Sequence, residues 1–270
     1  MKYLRVLSSY TGPKGMYGFV REGTIHLIDR LPLSGLAKEI GVSLSVEEVT
    51  TFLPPLEVPN IIAVGLNYRG HAKEAEMSVP EAPAIFFKAT SSLTGHLQPI
   101  VLPIEAPSQV DFEAELTVVI GKKCKHVSLE TAKDVIFGYT CGQDVSARDC
   151  QLLIDKQWAR GKSFDTFTPI GPVIETEVDP TDLRIQLRLN GITMQDSNTK
   201  ELIFPVYSLV SYLSRQMTLL PGTLIMTGTP SGIGFTRTPQ IFLKPGDRVE
   251  VEIEGIGVLE NLVVMEQIDE

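Results

Sequence analysis

The chain has 270 residues, a hydrophobic fraction of 43%, a charged fraction of 21% and a formal net charge of −9. That length can bury a sizeable core, as one large domain or a large one with a small appendage, and the composition is ordinary for a globular protein. The acidic balance argues against nucleic acid or an anionic membrane as partner, because both need a basic surface.

No apolar run approaches the ~18 residues of a membrane span, and the N-terminus lacks a basic-then-apolar leader, so a cytoplasmic protein is the default expectation. Cys124, Cys141 and Cys150 are odd in number and lack CxxC spacing, which indicates neither a disulfide framework nor a zinc site. His26, His71, His96 and His126 are scattered, which further weakens a histidine-based metal site.

Residues 1 to about 55 read as a small separate unit. Tyr17 to Ile28 alternates with period two around Glu22-Gly23, a hairpin signal. Ser45-x-x-Glu48 is a capping box, predicting a short helix stopped by Pro54-Pro55. His26 lies mid-strand and reads as structural. Pro59 to Gly65 is a strand that feeds a short polar helix over Leu66–Ala75, where His71 and Glu74 share a face by i,i+3 spacing. Pro83 to Lys88 is an apolar strand, and a lysine closing such a strand is usually a solvated end. Val110–Gly121 is the next strand. A capped helix is expected from Ser128 to Gly138. Tyr139 to Asp149 passes from strand to helix, which Gln151–Trp158 continues, and Arg160–Pro172 reads as a turn-rich loop with two cations. Residues 183–204 form a meander around Asn190-Gly191, Pro205–Met217 an amphipathic helix, and Leu224 onward a strand entering a glycine-rich loop. That loop has neither the P-loop lysine nor a GxGxxG pattern, so nucleotide binding is not expected. Asp247–Val264 reads as two strands around Glu254-Gly255. The balance is β-rich with short helices, α+β rather than βαβ.

The chemistry concentrates at Glu113 and Glu115, at the mouth of the apolar run Leu116–Ile120. Two residues apart in extended chain, their side chains leave one face roughly 7 Å apart at the backbone. Like charges on a half-buried face repel, and a cation between them would relieve this; the plainer alternative is a solvated strand face. Asp144 supplies a third carboxylate, or is simply a helix cap. An all-oxygen set suits Mg2+ or Mn2+, with Ca2+ as a possible substitute. An open position on such an ion suits a 2-oxo acid, whose keto oxygen takes up negative charge in an enolate. Lys162 or Arg148 would balance the site and hold an anionic substrate, although Arg148 could instead pair with neighbouring Asp149.

Five stretches follow in order: Gly65-Leu-Asn-Tyr-Arg-x-His71-Ala-x-Glu74, Asp111-Phe-Glu-Ala-Glu115-Leu, Gln143-Asp144-Val-Ser-Ala-Arg-Asp149, Arg160-Gly-Lys162-Ser-Phe-Asp and Thr227-Gly-Thr229-Pro-Ser-Gly-Ile-Gly234. Together they resemble the catalytic domain of the fumarylacetoacetate hydrolase family, from about residue 59 to 265. The resemblance implies a catalytic domain over 59–270, built as a mixed β-sheet roll or sandwich with short helices, behind a small N-terminal α+β domain over 1–55. It implies Glu113, Glu115 and Asp144 as Mg2+/Mn2+ ligands and His71 and Glu74 as a catalytic dyad on a mobile lid, with Lys162 beside the substrate. Arg69, Lys88, Arg148, Gln151 and Thr229 are the candidate substrate contacts, and a homodimer is the family expectation. Two departures stand out: Gly70, where Asp is common, and Ala89, where Pro is common. The implied activity is metal-dependent cleavage of a C–C bond in a small anionic 2-oxo or 2,4-diketo acid. The alternatives are decarboxylation of oxaloacetate or a related 2-oxo acid, and isomerisation–decarboxylation or hydration in aromatic catabolism. A non-catalytic β module holding a structural Ca2+ is the reading from another class.

Overall fold

In a computed structural model, residues 1–33, 35–106, 108–154 and 157–267 are described. The N-terminal stretch forms β1 (Lys2–Leu7), β2 (Met16–Arg21), β3 (Thr24–Ile28) and β4 (Glu39–Leu44), an antiparallel meander. The turn from β2 to β3 is the expected one, with Glu22 at φ 49° and Gly23 at φ 78°, the left-handed pair that a two-residue hairpin requires. The helix expected after Ser45 is only one 3-10 turn, Val46–Glu48, although the Ser45 N–H does donate to the Glu48 carboxylate at 2.8 Å. Its continuation is drawn out as β5 (Thr51–Leu53), because that segment pairs with β1.

The chain continues through β6 (Ile61–Val64), α1 (Arg69–Glu74), β7 (Ile85–Lys88), β8 (Leu93–Thr94), β9 (Ile100–Leu102), β10 (Val110–Asp111) and β11 (Ala114–Ile120). The helix expected over 128–138 reduces to a 3-10 turn at Ala132–Val135. The rest is absorbed into β12 (Ile136–Gln143), which is held between β11 and a later strand. Gly138 is therefore inside a strand rather than at a helix end; a Cβ there would lie 2.6 Å from the Glu175 carbonyl oxygen. After β13 (Ser146–Ala147) comes a π-helical turn at Asp149–Ile154, then α2 (Trp158–Gly161). The single helix expected over 151–158 is thus not continuous as described, and its residues 155–156 lie outside the described set. The expected loop after Arg160 is short, since β14 begins at Thr168 and runs to Glu175. β15 (Arg184–Leu189), β16 (Ile192–Asn198), α3 (Val206–Gln216), β17 (Leu224–Met226), β18 (Arg248–Ile253) and β19 (Gly257–Met265) follow as the sequence suggests.

The fold is α+β and β-rich. A large mixed sheet runs β4-β3-β2-β1-β14-β12-β11-β17-β6-β7, and a five-stranded sheet runs β16-β15-β18-β19-β9. β11 is interior, with β12 antiparallel on one side and β17 antiparallel on the other, and all seven of its residues are buried. Its alternation sends Leu116 and Val118 into a core shared with Leu187, Val251 and Leu259 of the smaller sheet. Val119 packs on the opposite face with Ile61, Ala63 and Met226. By the same period of two, Glu113 and Glu115 share that opposite face. Each such aliphatic burial contributes about 1.5–3 kcal/mol, so the strand that carries Glu115 and directly follows Glu113 is anchored by its neighbours. Among the described residues no helix is long and apolar enough to cross a membrane.

Candidate metal centre and cavity

Glu113 sits in the two-residue gap between β10 and β11, and Asp144 directly follows β12. The Asp144 N–H donates to the Glu113 carbonyl at 2.9 Å, which fixes the two segments against each other. One carboxylate oxygen from each of Glu113, Glu115 and Asp144 lies within 4.8 Å of the others. All three residues are buried, at 5%, 1% and 1% exposure, which removes the solvated-strand alternative. Nor is Asp144 a helix cap: its side chain bonds Lys88 and Lys162.

Three cations enclose the trio. Lys162 Nζ donates to Glu113 at 2.9 Å, to Asp144 at 2.5 Å and to the Ser146 hydroxyl at 2.7 Å. Lys88 Nζ donates to Asp144 and, at 2.9 Å, to the Phe167 carbonyl. Arg148 donates to Asp111 at 2.9 and 2.6 Å, to Glu113 at 2.7 Å and to the Gln151 side-chain carbonyl at 2.9 Å. Asp111, a fourth buried carboxylate, also accepts backbone N–H bonds from Phe112, Gly234 and Phe235. Burial alone would raise the Glu113 carboxyl, but Lys162 and Arg148 hold it well below its usual range. Lys162 is likewise raised against burial, by Asp144 and Glu113.

Glu115 differs. It accepts one N–H bond, from Gly228 at 2.8 Å, and has no ion pair among the described residues. Burial, then the charges of Asp144 and Glu113, push its carboxyl well above the ordinary range. A hard divalent ion among the three oxygens would offset that repulsion, so the donor set fits Mg2+ or Mn2+. Four carboxylates face three cations here, and the unmatched negative charge has the same implication.

Beside the trio opens a cavity of about 430 Å3. His71 and Glu74 line it, with His71 Nδ1 3.3 Å from Glu74 Oε2. The Gly232 N–H holds Glu74 Oε1 at 3.0 Å. Burial opposes ionisation of Glu74, but the bonds from His71 and Gly232 keep its pKa below the usual value. Lys162, Arg148, Gln151 and Thr229 also reach the wall, where Phe86 and Trp158 meet edge-on at 5.6 Å between ring centroids.

Two expected substrate contacts are not on this wall. Arg69 is exposed at the start of α1, two residues and so roughly half a helical turn from His71, on the far side of the helix. Lys88 is no solvated end either; it is 3% exposed behind Asp144 and bonds that carboxylate instead of facing the cavity. Arg148 pairs with Asp111 and Glu113 rather than Asp149. The sequence reading overlooked Asp111, Ser146, Gln195 and Tyr68. Asp111 carried a signal, the carboxylate two residues before Glu113. Tyr68 carried none: its hydroxyl is buried without a hydrogen-bond partner among the described residues, and burial, then Glu115, raises its pKa.

Residues 60–264 match the family model described as "Fumarylacetoacetate (FAA) hydrolase C-terminal". The mitochondrial oxaloacetate tautomerase Fahd2a of Rattus norvegicus is 42% identical over 256 residues, covering 93% of this chain and 80% of the relative. The crystal structure of a 2-hydroxyhepta-2,4-diene-1,7-dioate isomerase from Mycobacterium marinum superposes with a TM-score of 0.87 at 39% identity, covering 99% of this chain and all of that one. A maleylpyruvate hydrolase from Sphingobium sp. SYK-6, solved in complex with manganese (II) ion and pyruvate, gives 0.79 at 29% identity with the same coverage. The five ordered motifs, the β-rich fold and these matches agree: the chain belongs to the fumarylacetoacetate hydrolase family.

Proposed function

We propose that this chain is a Mg2+- or Mn2+-dependent enzyme that makes and consumes the enolate of a small 2-oxo acid, with keto–enol interconversion of oxaloacetate as its reaction. One observation carries the reading: a buried three-carboxylate centre opens onto a cavity whose wall holds a hydrogen-bonded His–Glu pair. The names of the relatives support it, since an oxaloacetate tautomerase, a 2-hydroxyhepta-2,4-diene-1,7-dioate isomerase and a maleylpyruvate hydrolase solved with pyruvate share a 2-oxo acid or an enol as the chemical theme. An ion held by Glu113, Glu115 and Asp144 would supply Lewis acidity to the keto oxygen.

The protein's own residues do the rest. Glu74, fixed by Gly232, orients the His71 ring. His71 can then take a proton from the carbon next to the keto group and return one to the enolate oxygen. Lys162 and Arg148 keep Glu113 charged, Lys162 also holds Asp144 in place, and Gln151 and Thr229 offer donors to the substrate's carboxylate.

Hydrolytic cleavage of an acylpyruvate is the second reading, favoured by the same dyad, which suits activation of a water molecule. Decarboxylation needs no such water. The test follows absorbance of the oxaloacetate enol with Mn2+, in parallel with cleavage of acetylpyruvate. Accelerated enol–keto exchange is expected, lost with EDTA and reduced on the order of 10²–10⁴-fold in His71→Ala. Cleavage of acetylpyruvate without any effect on oxaloacetate would put the second reading first, and inertness to both would overturn the proposal.

A further inference from the structure

Gln195 lies on β16 in the smaller sheet, yet it is 1% exposed and reaches the centre built on the larger one. Its side-chain carbonyl accepts the Ala114 N–H at 2.9 Å, the backbone amide between Glu113 and Glu115. Its amide nitrogen donates to the Thr229 hydroxyl at 2.8 Å and to the Pro230 carbonyl at 2.8 Å. These partners fix the orientation of the amide. A backbone N–H can only donate and a backbone carbonyl can only accept, so reversing Gln195 would break both contacts. Both amide protons are thereby used.

A consequence follows for Thr229. Its oxygen already accepts from Gln195, so its own proton must point elsewhere, and among the described residues it donates to no side chain or carbonyl. Thr229 lines the cavity at 3% exposure. We propose that Gln195 is a positioning residue for the reaction: it holds the Thr229 hydroxyl as a donor aimed into the cavity, where it meets an acceptor-only oxygen of the substrate carboxylate, and the same amide fixes the spacing of Glu113 and Glu115. The inference rests on the 2-oxo acid reading and assigns this subsite an anionic oxygen.

The carboxylate of Gln195→Glu still accepts from Ala114, but it also accepts from Thr229, turning that hydroxyl away from the cavity. The Michaelis constant for oxaloacetate is expected to rise about ten- to a hundredfold, the range for a lost hydrogen bond to a charged group, with a smaller change in kcat. Thr229→Val should produce the same rise, Thr229→Ser should retain wild-type binding, and adding Gln195→Glu to Thr229→Val should raise the Michaelis constant no further. Mn2+ affinity, measured by calorimetry without substrate, separates this role from damage to the ligand strand; Thr229→Val should leave it unchanged. Equal losses from Gln195→Glu with and without the Thr229 hydroxyl would overturn the inference. So would wild-type kinetics in Thr229→Val, a nearly isosteric change that decides the matter even if the Gln195 variant fails to fold. A wild-type protein that neither binds Mn2+ nor acts on any 2-oxo acid would instead sink the functional reading beneath it.

Discussion

Arg148 lies 2.6 Å from Asp111 and 2.7 Å from Glu113, and none of the three side chains is more than 7% exposed. On the solvent face of the smaller sheet, Arg184 lies 2.6 Å from Asp196 and Arg248 2.7 Å from Glu260, with the arginines 60% and 55% exposed. Arg188 adds bonds to Glu250 and Glu252 on the same face. The distances match, but the physics differs. Outside, water and salt screen each pair and can replace either partner at little cost. Inside, each charge has given up its hydration, and removing one partner leaves the other stranded. What matters is therefore how many partners each group retains, and Glu115, with no ion pair among the described residues, is the exception that a divalent ion would complete.

The sharpest way to break this comparison is Glu115→Ala. Metal-dependent activity and Mn2+ binding should both be abolished, yet the metal-free protein should be no less stable, because a repelled carboxylate has gone; unchanged Mn2+ affinity by calorimetry would refute the ligand assignment. Next is Arg148→Leu, which strands Asp111 and Glu113 and should cost about 3–5 kcal/mol in urea unfolding. A loss below about 1 kcal/mol would place this centre with the surface pairs.

A smaller effect is expected from pH. Glu113 has a lowered pKa in the folded state, so its stabilisation is present above the ordinary carboxylate range and fades as pH falls towards the folded value. Glu113→Gln should flatten that acid limb, and the difference should persist at about 1 M salt, where the Debye length is near 3 Å, because the pair is buried. The smallest change is Arg188→Ala, expected to cost at most about 1 kcal/mol and to lose most of that at high salt. Equal salt sensitivity in the two variants would erase the distinction.

Glu113 and Glu115 were legible as neighbours because spacing encodes a face: two residues apart on an extended run puts both side chains on one side without any knowledge of the fold, whereas Asp144 read equally as a helix cap and joined them only through the motif resemblance. Gln195 was not, since a polar residue in an alternating meander reads as solvent-facing; β16 exposes Ile192 and buries Gln195, and only the opposite sheet explains why. Lys88 misled for a similar reason. Its strand ends as sequence logic expects, but the acceptor that buries it, Asp144, is 56 residues away. The expected helix before Gly138 failed because pairing of Ile136–Gln143 with both β11 and β14 outweighs local capping signals.

β11 is hydrogen-bonded on both sides and wholly buried, whereas α1 is six residues long and buries only Ala72. In hydrogen-exchange terms the helix on the cavity wall and the buried strand that follows Glu113 belong to different regimes. Amides of Leu116–Val119 should exchange only when the whole domain unfolds, while those of α1 should exchange through local opening. Deuterium uptake at His71–Ala75 should therefore slow on substrate binding without any change at β11, so occupancy of the cavity could be read from one short peptide against an internal reference in the core of the sheet.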